Sequence, residues 1–355
     1  MSHPPRQERH EVLYRKYRPQ DFSEVIGQDS VVKALRGAIA NDAVAHAYLF
    51  AGSRGIGKTS IARIFAREIG TSGNDVYEID AASNRGIDDI RALRDAVAVL
   101  PFESKYKVYI IDEVHMLTKE AFNALLKTLE EPPKHVVFIL ATTEVYKLPE
   151  TIVSRCQVFE FKRPTAEVLK DTAAAVAKKE GYSIEPAAAE LVALVGDGSF
   201  RDAHGILERV IAGVKGKKIS REDVEEATGS PKSELVRSFV GAIARRDAGG
   251  AFAAIAQVRE KSFDPKLFLE LALSLVRLTL LEKMGAAGKA LEQASGEDQA
   301  FVKALLADSA ATVDSKLLRG LLGAFDYISV SPIRELPLEL AVLDITGEKE
   351  QALFN

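Results

Sequence analysis

In the first 160 residues, short apolar runs alternate with stretches whose apolar positions recur at helical spacing. The runs at 47–50, 76–80, 108–112, 136–141 and 158–161 are rich in Val, Ile, Tyr and Phe and predict five buried parallel strands. The periodic stretches at 58–69, 88–99 and 119–129 predict helices. Pro132-Pro133 stops the last of them, because proline lacks the N–H and clashes with the preceding turn. Strand–helix alternation of this kind predicts a doubly wound α/β sheet with helices on both faces.

After Arg163-Pro164 the strand pattern disappears and Ala/Leu/Glu/Lys helical periodicity runs to the C-terminus. Turn signals fall at 181–183, 196–198, 213–218 and 228–231. They predict three domains: an α/β module at 1–163, a small helical domain at 164–228 and a larger all-α domain at 229–355. The Ala/Gly-rich stretch 285–295 reads as a loose helix connection.

Composition narrows the class. The chain has 355 residues, 47% hydrophobic and 28% charged, which suits two or three globular domains and excludes a disordered or fibrous chain. Residues 1–9 are polar with two prolines and hold no signal peptide. The longest apolar stretch, 267–281, is broken by Glu270, Ser274 and Arg277, so no membrane span is expected. A single cysteine, Cys156, excludes an internal disulfide and a cysteine-cluster zinc site, and fits a reducing cytoplasm. The net charge is −4; residues 1–162 carry 22 basic and 22 acidic side chains, the remainder 25 and 29. With neither part strongly basic, nucleic-acid binding would need local clusters or several copies acting together.

The strongest chemical signal is Gly52-Ser53-Arg54-Gly55-Ile56-Gly57-Lys58-Thr59, followed by Ser60, between a predicted strand and a predicted helix. Glycines let successive N–H groups curl around a phosphate, and the helix N-terminus is aimed at the same charge. Lys58 would reach the terminal phosphates and the Thr59 hydroxyl would ligate Mg²⁺. Taken alone, a glycine-rich turn can arise by chance; the flanking strand and helix argue against that here. The second signal is the strand 108–112 ending in Asp112-Glu113. Adjacent acids at a buried strand end are costly unless a cation waits there. Asp112 would complete the Mg²⁺ shell and Glu113 would polarise an attacking water; otherwise the pair merely caps the next helix. The two motifs together imply hydrolysis of ATP or GTP.

Further residues carry a resemblance. Asp112-Glu113-Val114-His115-Met116-Leu117, the run from Phe122 through Leu129-Glu130-Glu131-Pro132-Pro133, Ala141-Thr142-Thr143, Ser154-Arg155-Cys156 and Asp80-Ala81-Ala82-Ser83-Asn84-Arg85-Gly86 resemble bacterial clamp-loader ATPases of the DNA polymerase III gamma/tau family. Tyr14-Arg15-Lys16-Tyr17-Arg18-Pro19 and Val25-Ile26-Gly27-Gln28 fit as well. The match is dense from Leu13 to about Lys162, continues through Gly198–Ala203 and is weak beyond Pro231.

The resemblance implies an AAA+ P-loop module with a five-stranded parallel sheet, a small helical lid and an all-α collar. It implies ATP with Mg²⁺ as ligands. The partners would be delta- and delta-prime-type subunits, further copies of the chain, a ring-shaped sliding clamp and primer–template DNA. Thr142 and Thr143 match the sensor that meets the γ-phosphate or attacking water, and Arg201 matches the lid sensor. Tyr14 and Arg18 match the segment that closes over adenine and ribose. Arg155 matches the arginine finger that completes a neighbouring subunit's site; from the residues alone it is a surface arginine paired with an acid. Cys156 reads as a small buried filler. Ser83, Asn84, Arg85, Thr118 and Lys119 are candidate DNA contacts at helix starts, where Ser83 and Thr118 could equally be ordinary N-caps.

Relatives usually carry a four-cysteine zinc module between the first helix and the second strand. Here the interval is only residues 70–75 and its cysteines are absent, so no zinc is expected. The chain reads as a short form, without the extension through which tau-type proteins hold the polymerase core and helicase. No polymerase site is read; a DNA-directed DNA polymerase (nucleotidyltransferase) label would describe the holoenzyme. The alternatives are a replication factor C-like small subunit, a non-hydrolysing stator, or another AAA+ DNA-processing motor, which would predict a C-terminal winged helix with strands.

Overall fold

Neighbouring residues of a strand point to opposite faces of a sheet, and in this protein that alternation builds two cores. A computed structural model describes residues 11–347, except Arg85 and the side chain of Ile87. The elements of the α/β part are, in order, α1 (Leu13–Lys16), α2 (Asp29–Ala40), β1 (Ala47–Ala51), α3 (Lys58–Glu68), β2 (Val76–Asp80), α4 (Ile87–Val97), β3 (Lys107–Asp112), α5 (Lys119–Glu130), β4 (Val136–Thr142), α6 (Glu150–Val153) and β5 (Gln157–Glu160). The strands form one parallel sheet in the order β2-β3-β4-β1-β5.

Tyr48, Phe50, Val108, Ile110, Val137 and Ile139 enter one core with Leu35 of α2 and Ile61 and Phe65 of α3. Their neighbours Leu49, Tyr109, Ile111, Phe138 and Leu140 enter the other with Leu93 of α4 and Phe122 and Leu125 of α5. Every residue of β1 and β4 is buried, which is why the sequence shows continuous apolar runs there. The edge strands β2 and β5 are only partly covered and carry Glu78 and Glu160.

The chain leaving β1 travels to β2 at the far edge, while the chain leaving β4 crosses back to β5 beyond β1. Connections that depart in opposite directions open a crevice at the carboxyl ends of the strands. The short 70–75 connection ends in a 3₁₀ turn, Gly73–Asp75. The buried Asp75 carboxylate accepts the backbone N–H groups of Phe102, Glu103 and Ser104 at 2.5, 3.0 and 3.0 Å. The approach to β2 is thereby fastened to the approach to β3.

The described residues separate into two compact units, 11–169 with 196–205, and 170–195 with 206–347. The remaining elements are α7 (Ala166–Lys179), β6 (Ser183–Ile184), α8 (Pro186–Val195), α9 (Phe200–Gly213), β7 (Lys218–Ile219), α10 (Arg221–Thr228), α11 (Ser233–Ala244), α12 (Ala248–Glu260), α13 (Pro265–Lys283), α14 (Gly288–Gln293), α15 (Gly296–Ala307), α16 (Ser315–Ile328) and α17 (Leu336–Thr346).

Two expectations are corrected here. Strand structure does not end at residue 163: β6 and β7 pair in parallel, Ser183 with Lys218 and Ile184 with Ile219. Strands of two residues are too short to show an alternation. The stretch 285–295 contains the helix α14. From Arg221 onward every element among the described residues is a helix. The second unit holds a largely buried ion network in which Asp298 accepts from Arg221 at 3.1 Å and from Arg237 at 3.0 Å, tying α10, α11 and α15 together. Among the described residues no helix is long and apolar enough to cross a membrane.

Candidate functional site

The loop after β1 is shaped by backbone that only glycine adopts easily. Gly52, Gly55 and Gly57 have φ of 147°, 72° and 103°. A Cβ on Gly52 would lie 2.8 Å from the Phe161 carbonyl oxygen, and one on Gly55 would overlap Ser199 Oγ. A Cβ on Gly57 would meet nothing within 4 Å, so the loop curls round open space at the start of α3. The Gly52 N–H donates to the Thr142 carbonyl at 3.1 Å, which docks the loop on the end of β4.

Lys58 is buried at this helix start and its Nζ donates to the Gly52 and Ser53 carbonyls at 2.7 and 2.8 Å. Burial lowers its pKa, and the charges of Glu113 and Asp112 offset part of that effect. Ser53 Oγ is buried without a hydrogen-bond partner among the described residues. Thr59 Oγ1 donates to Asp112 Oδ2 at 2.7 Å. A hydroxyl and a carboxylate thus stand together beside an ammonium and an orphaned hydroxyl. That donor set, with the glycine cradle, fits a polyphosphate and a hard divalent cation. Ile56 is buried in the sheet core, Ser60 is partly covered, and Arg54 is exposed on the loop's outer side.

At the end of β3 the backbone turns through Glu113, whose φ of 48° is left-handed. A non-glycine residue in that region stores strain, and such strain gathers at functional sites. Thr143 Oγ1 donates to Glu113 Oε2 at 3.2 Å. Thr142 is fully buried; its Oγ1 accepts the Glu144 N–H at 3.0 Å and lies 3.0 Å from His115 Nδ1. The two threonines therefore separate: Thr143 faces Glu113, whereas Thr142 is committed inside the protein. His115 and Glu144 were missed in the sequence, although His115 sits two residues beyond Glu113 on the next turn.

The start of α9 closes on the loop. Phe200 N–H donates to the Gly55 carbonyl at 3.0 Å, and the Arg201 guanidinium lies over the Tyr14 ring, 5.8 Å from its centroid. Arg18 is pushed below its ordinary pKa by burial and then by the neighbouring charges of Arg63 and Arg201. Tyr14, Arg18 and Arg201 are thus assembled with the phosphate loop. Ser199 and Arg63 join them; Ser199 lies in the matching run Gly198–Ala203 but carried no assigned role, and Arg63 belongs to no motif.

Other predicted residues lie outside this group. Arg155 is partly exposed and its Nη2 donates to Glu130 Oε1 at 2.7 Å, its Nη1 to the Thr151 carbonyl at 2.8 Å. Cys156 is only partly buried, because it packs at the margin of the α4–α5 core; that burial still pushes the thiol up to about 12. Thr118 is the N-cap of α5, accepting the Ala121 N–H at 3.2 Å, and Lys119 is exposed beside it. Ser83 is not a helix cap: its Oγ donates to Asp80 Oδ2 at 3.1 Å within the turn after β2, and Asn84 Nδ2 donates to the Asp80 carbonyl at 3.0 Å. Gly86 precedes α4 in its place. Arg85 lies outside the described residues.

Known proteins share this framework. The family model described as DNA polymerase III, delta subunit, matches residues 27–82 and 71–165. The DNA polymerase III subunit tau of Bacillus subtilis is 40% identical over 295 residues, 77% of this chain and 52% of that protein. Its Escherichia coli K12 counterpart is 35% identical over 359 residues, 94% of this chain and 55% of that protein. The chain spans about half the length of these relatives. Among solved structures, the RuvB Holliday junction branch migration motor of Thermotoga maritima aligns with a TM-score of 0.51 at 27% identity, covering 64% of this chain and 79% of that one.

Proposed function

Because the chain belongs to the DNA polymerase III gamma/tau family, we propose that it is an ATPase subunit of the bacterial clamp loader. It uses ATP binding and hydrolysis to open a ring-shaped sliding clamp and load it on primer–template DNA. One observation carries the hydrolytic part: Thr59, Asp112 and Lys58 meet at the head of α3, with Glu113 braced by Thr143 beside them.

The loop N–H groups of residues 52–59 and the Lys58 ammonium hold the phosphates. Thr59 and Asp112 would hold Mg²⁺, which when bound would supply charge to neutralise the phosphate oxygens. Glu113 orients a water and takes its proton, while Thr143 fixes the carboxylate. Thr142 supports this edge through the backbone that docks Gly52. Arg201 senses the terminal phosphate, and Tyr14 with Arg18 covers the base and ribose. Arg155 acts in trans, leaving Glu130 for the phosphates of an adjoining subunit. The division into a nucleotide module (1–163), lid (164–228) and collar (229–355) is part of this reading.

The proposed partners are delta- and delta-prime-type subunits, further copies of the chain, the clamp and DNA. Ser83, Asn84, Arg85, Thr118 and Lys119 are retained as DNA contacts, working in a protein of the cytoplasm. Any nucleotidyltransferase activity belongs to the holoenzyme, since the acid pair here serves a phosphate loop.

The likeness to RuvB supports a second reading, an AAA+ DNA-processing motor. That reading expects strands in the C-terminal part, and the described elements after Ile219 are all helices, which favours the first. Phosphate release by the chain assembled with delta- and delta-prime-type subunits, with and without clamp and primed DNA, separates them. Stimulation by clamp and DNA together supports the clamp loader; stimulation by branched DNA alone supports the motor.

A further inference from the structure

Glu113 has a second neighbour, and that neighbour is held more firmly than Glu113 itself. The His115 side chain is 6% exposed. Its Nε2 lies 3.0 Å from Glu144 Oε2, and its Nδ1 lies 3.0 Å from Thr142 Oγ1 and 3.5 Å from Glu113 Oε2. A carboxylate can only accept, so Nε2 carries the proton toward Glu144. Thr142 Oγ1 already accepts the Glu144 N–H, which leaves its own hydrogen for Nδ1. Every polar atom of the ring and of the threonine hydroxyl is then satisfied, and the imidazole is locked to the end of β4. Glu144 is anchored in turn by Lys147 Nζ at 2.8 Å and Tyr146 Oη at 2.5 Å.

We propose that His115 is a positioning residue for Glu113: clamped between Glu144 and Thr142, its ring forms a fixed wall that sets where the Glu113 carboxylate stands. Thr143 Oγ1 donates to Oε2 at 3.2 Å, while His115 Nδ1, its lone pair taken by the Thr142 hydroxyl, only abuts that oxygen at 3.5 Å and limits its movement by contact. Among the described residues Oε1 makes no hydrogen bond, and it is the oxygen left for a water. The left-handed backbone at Glu113 gives the carboxylate no helical neighbours to steady it, and the short 3₁₀ turn Val114–Met116 brings His115 back to do so. The inference rests on the hydrolytic reading of the site.

The test uses the full chain in its assembled complex, measuring kcat and KM for ATP hydrolysis, affinity for a fluorescent ATP analogue, and Tm. His115→Ala is expected to lower kcat about 10- to 100-fold, because a displaced catalytic group loses that much, with KM and analogue affinity within about twofold of wild type. Glu144→Ala, which releases the ring, is expected to lower kcat in the same sense. The double variant should be no worse than His115→Ala, as for residues acting through one contact. His115→Asn, which keeps a donor and an acceptor near Thr142, should recover part of the loss. An unchanged kcat in His115→Ala, or losses that simply add in the double variant, overturns the proposal. If His115→Ala does not fold, Glu144→Ala and His115→Asn decide on the same criteria. Glu113→Gln is the control: if it hydrolyses ATP like wild type, the hydrolytic reading itself fails, whereas an inactive Glu113→Gln beside a fully active His115→Ala removes only the positioning role.

Discussion

The hydroxyl of Thr59 and the carboxylate of Asp112 are joined at 2.7 Å although 53 residues separate them in the chain. This contact ties the head of α3 to the end of β3. If the pair forms the two protein ligands of Mg²⁺, Asp112→Asn and Thr59→Ala should each cut kcat about 100-fold or more, as losing one preorganised electrostatic partner does. ATP binding without Mg²⁺ should persist in both, and chelation of Mg²⁺ should abolish hydrolysis by the wild type. Equilibrium nucleotide binding with and without EDTA, alongside phosphate release, measures this directly.

Two glycines of the loop are predicted to fail differently. Gly55→Ala drives its methyl into Ser199 and also strains a φ of 72°, so both the loop and the start of α9 must shift. Gly57→Ala meets no atom and is charged only the left-handed backbone cost of about 1–2 kcal/mol. Nucleotide affinity should therefore fall further in Gly55→Ala, and the additional substitution Ser199→Ala should recover part of the loss there while doing nothing for Gly57→Ala. Isothermal titration of the four variants gives the comparison.

Arg155 is tethered to Glu130 of its own chain, on the surface. As a finger acting in trans, Arg155→Ala should cost roughly 10³–10⁵ in the hydrolysis rate of the assembled complex. The isolated chain, which has no neighbour to receive the arginine, should hydrolyse ATP at an unchanged basal rate. Glu130→Ala should cost much less, because an exposed ion pair contributes little. Equal losses in the isolated and assembled chain would instead give Arg155 a role within its own subunit.

His204 on α9 predicts a stability change with pH. It is buried, its Nε2 has no hydrogen-bond partner among the described residues, and burial lowers its pKa from 6.5 to about 4. The folded value lies below the unfolded one, so the stability tied to the neutral ring is present above pH 6.5 and is lost as pH falls toward 4. The loss is on the order of 3 kcal/mol across that interval. His204→Leu should flatten this part of the profile and leave the protein at least as stable at pH 7. Urea unfolding at pH 7, 6, 5 and 4 follows both proteins.

The strands and the phosphate loop could be read from the sequence because each is a local pattern. Residues 47–51 and 136–142 are buried on both faces and so appear as unbroken apolar runs. Gly55 and Gly57 are needed by the backbone of their own turn. What the sequence did not reveal is held by distance along the chain. His115 becomes informative only when β4 brings Thr142 and Glu144 beside it, and Ser199 only when α9 folds onto Gly55. Ser83 carries the residue type of an N-cap, yet the Asp80 carboxylate takes its hydroxyl and leaves the helix to begin after Gly86. The pair β6–β7 was invisible because each strand is two residues long.

Retention of the sliding clamp on circular primed DNA, followed by gel filtration after incubation with the assembled complex and ATP, tests the proposed function most directly. The complex built with the wild-type chain should leave the clamp on the DNA, and the same complex with Lys58→Ala should not. Clamp loading that proceeds equally with Lys58→Ala, or that fails with the wild-type chain in a complex that binds both clamp and DNA, would contradict it.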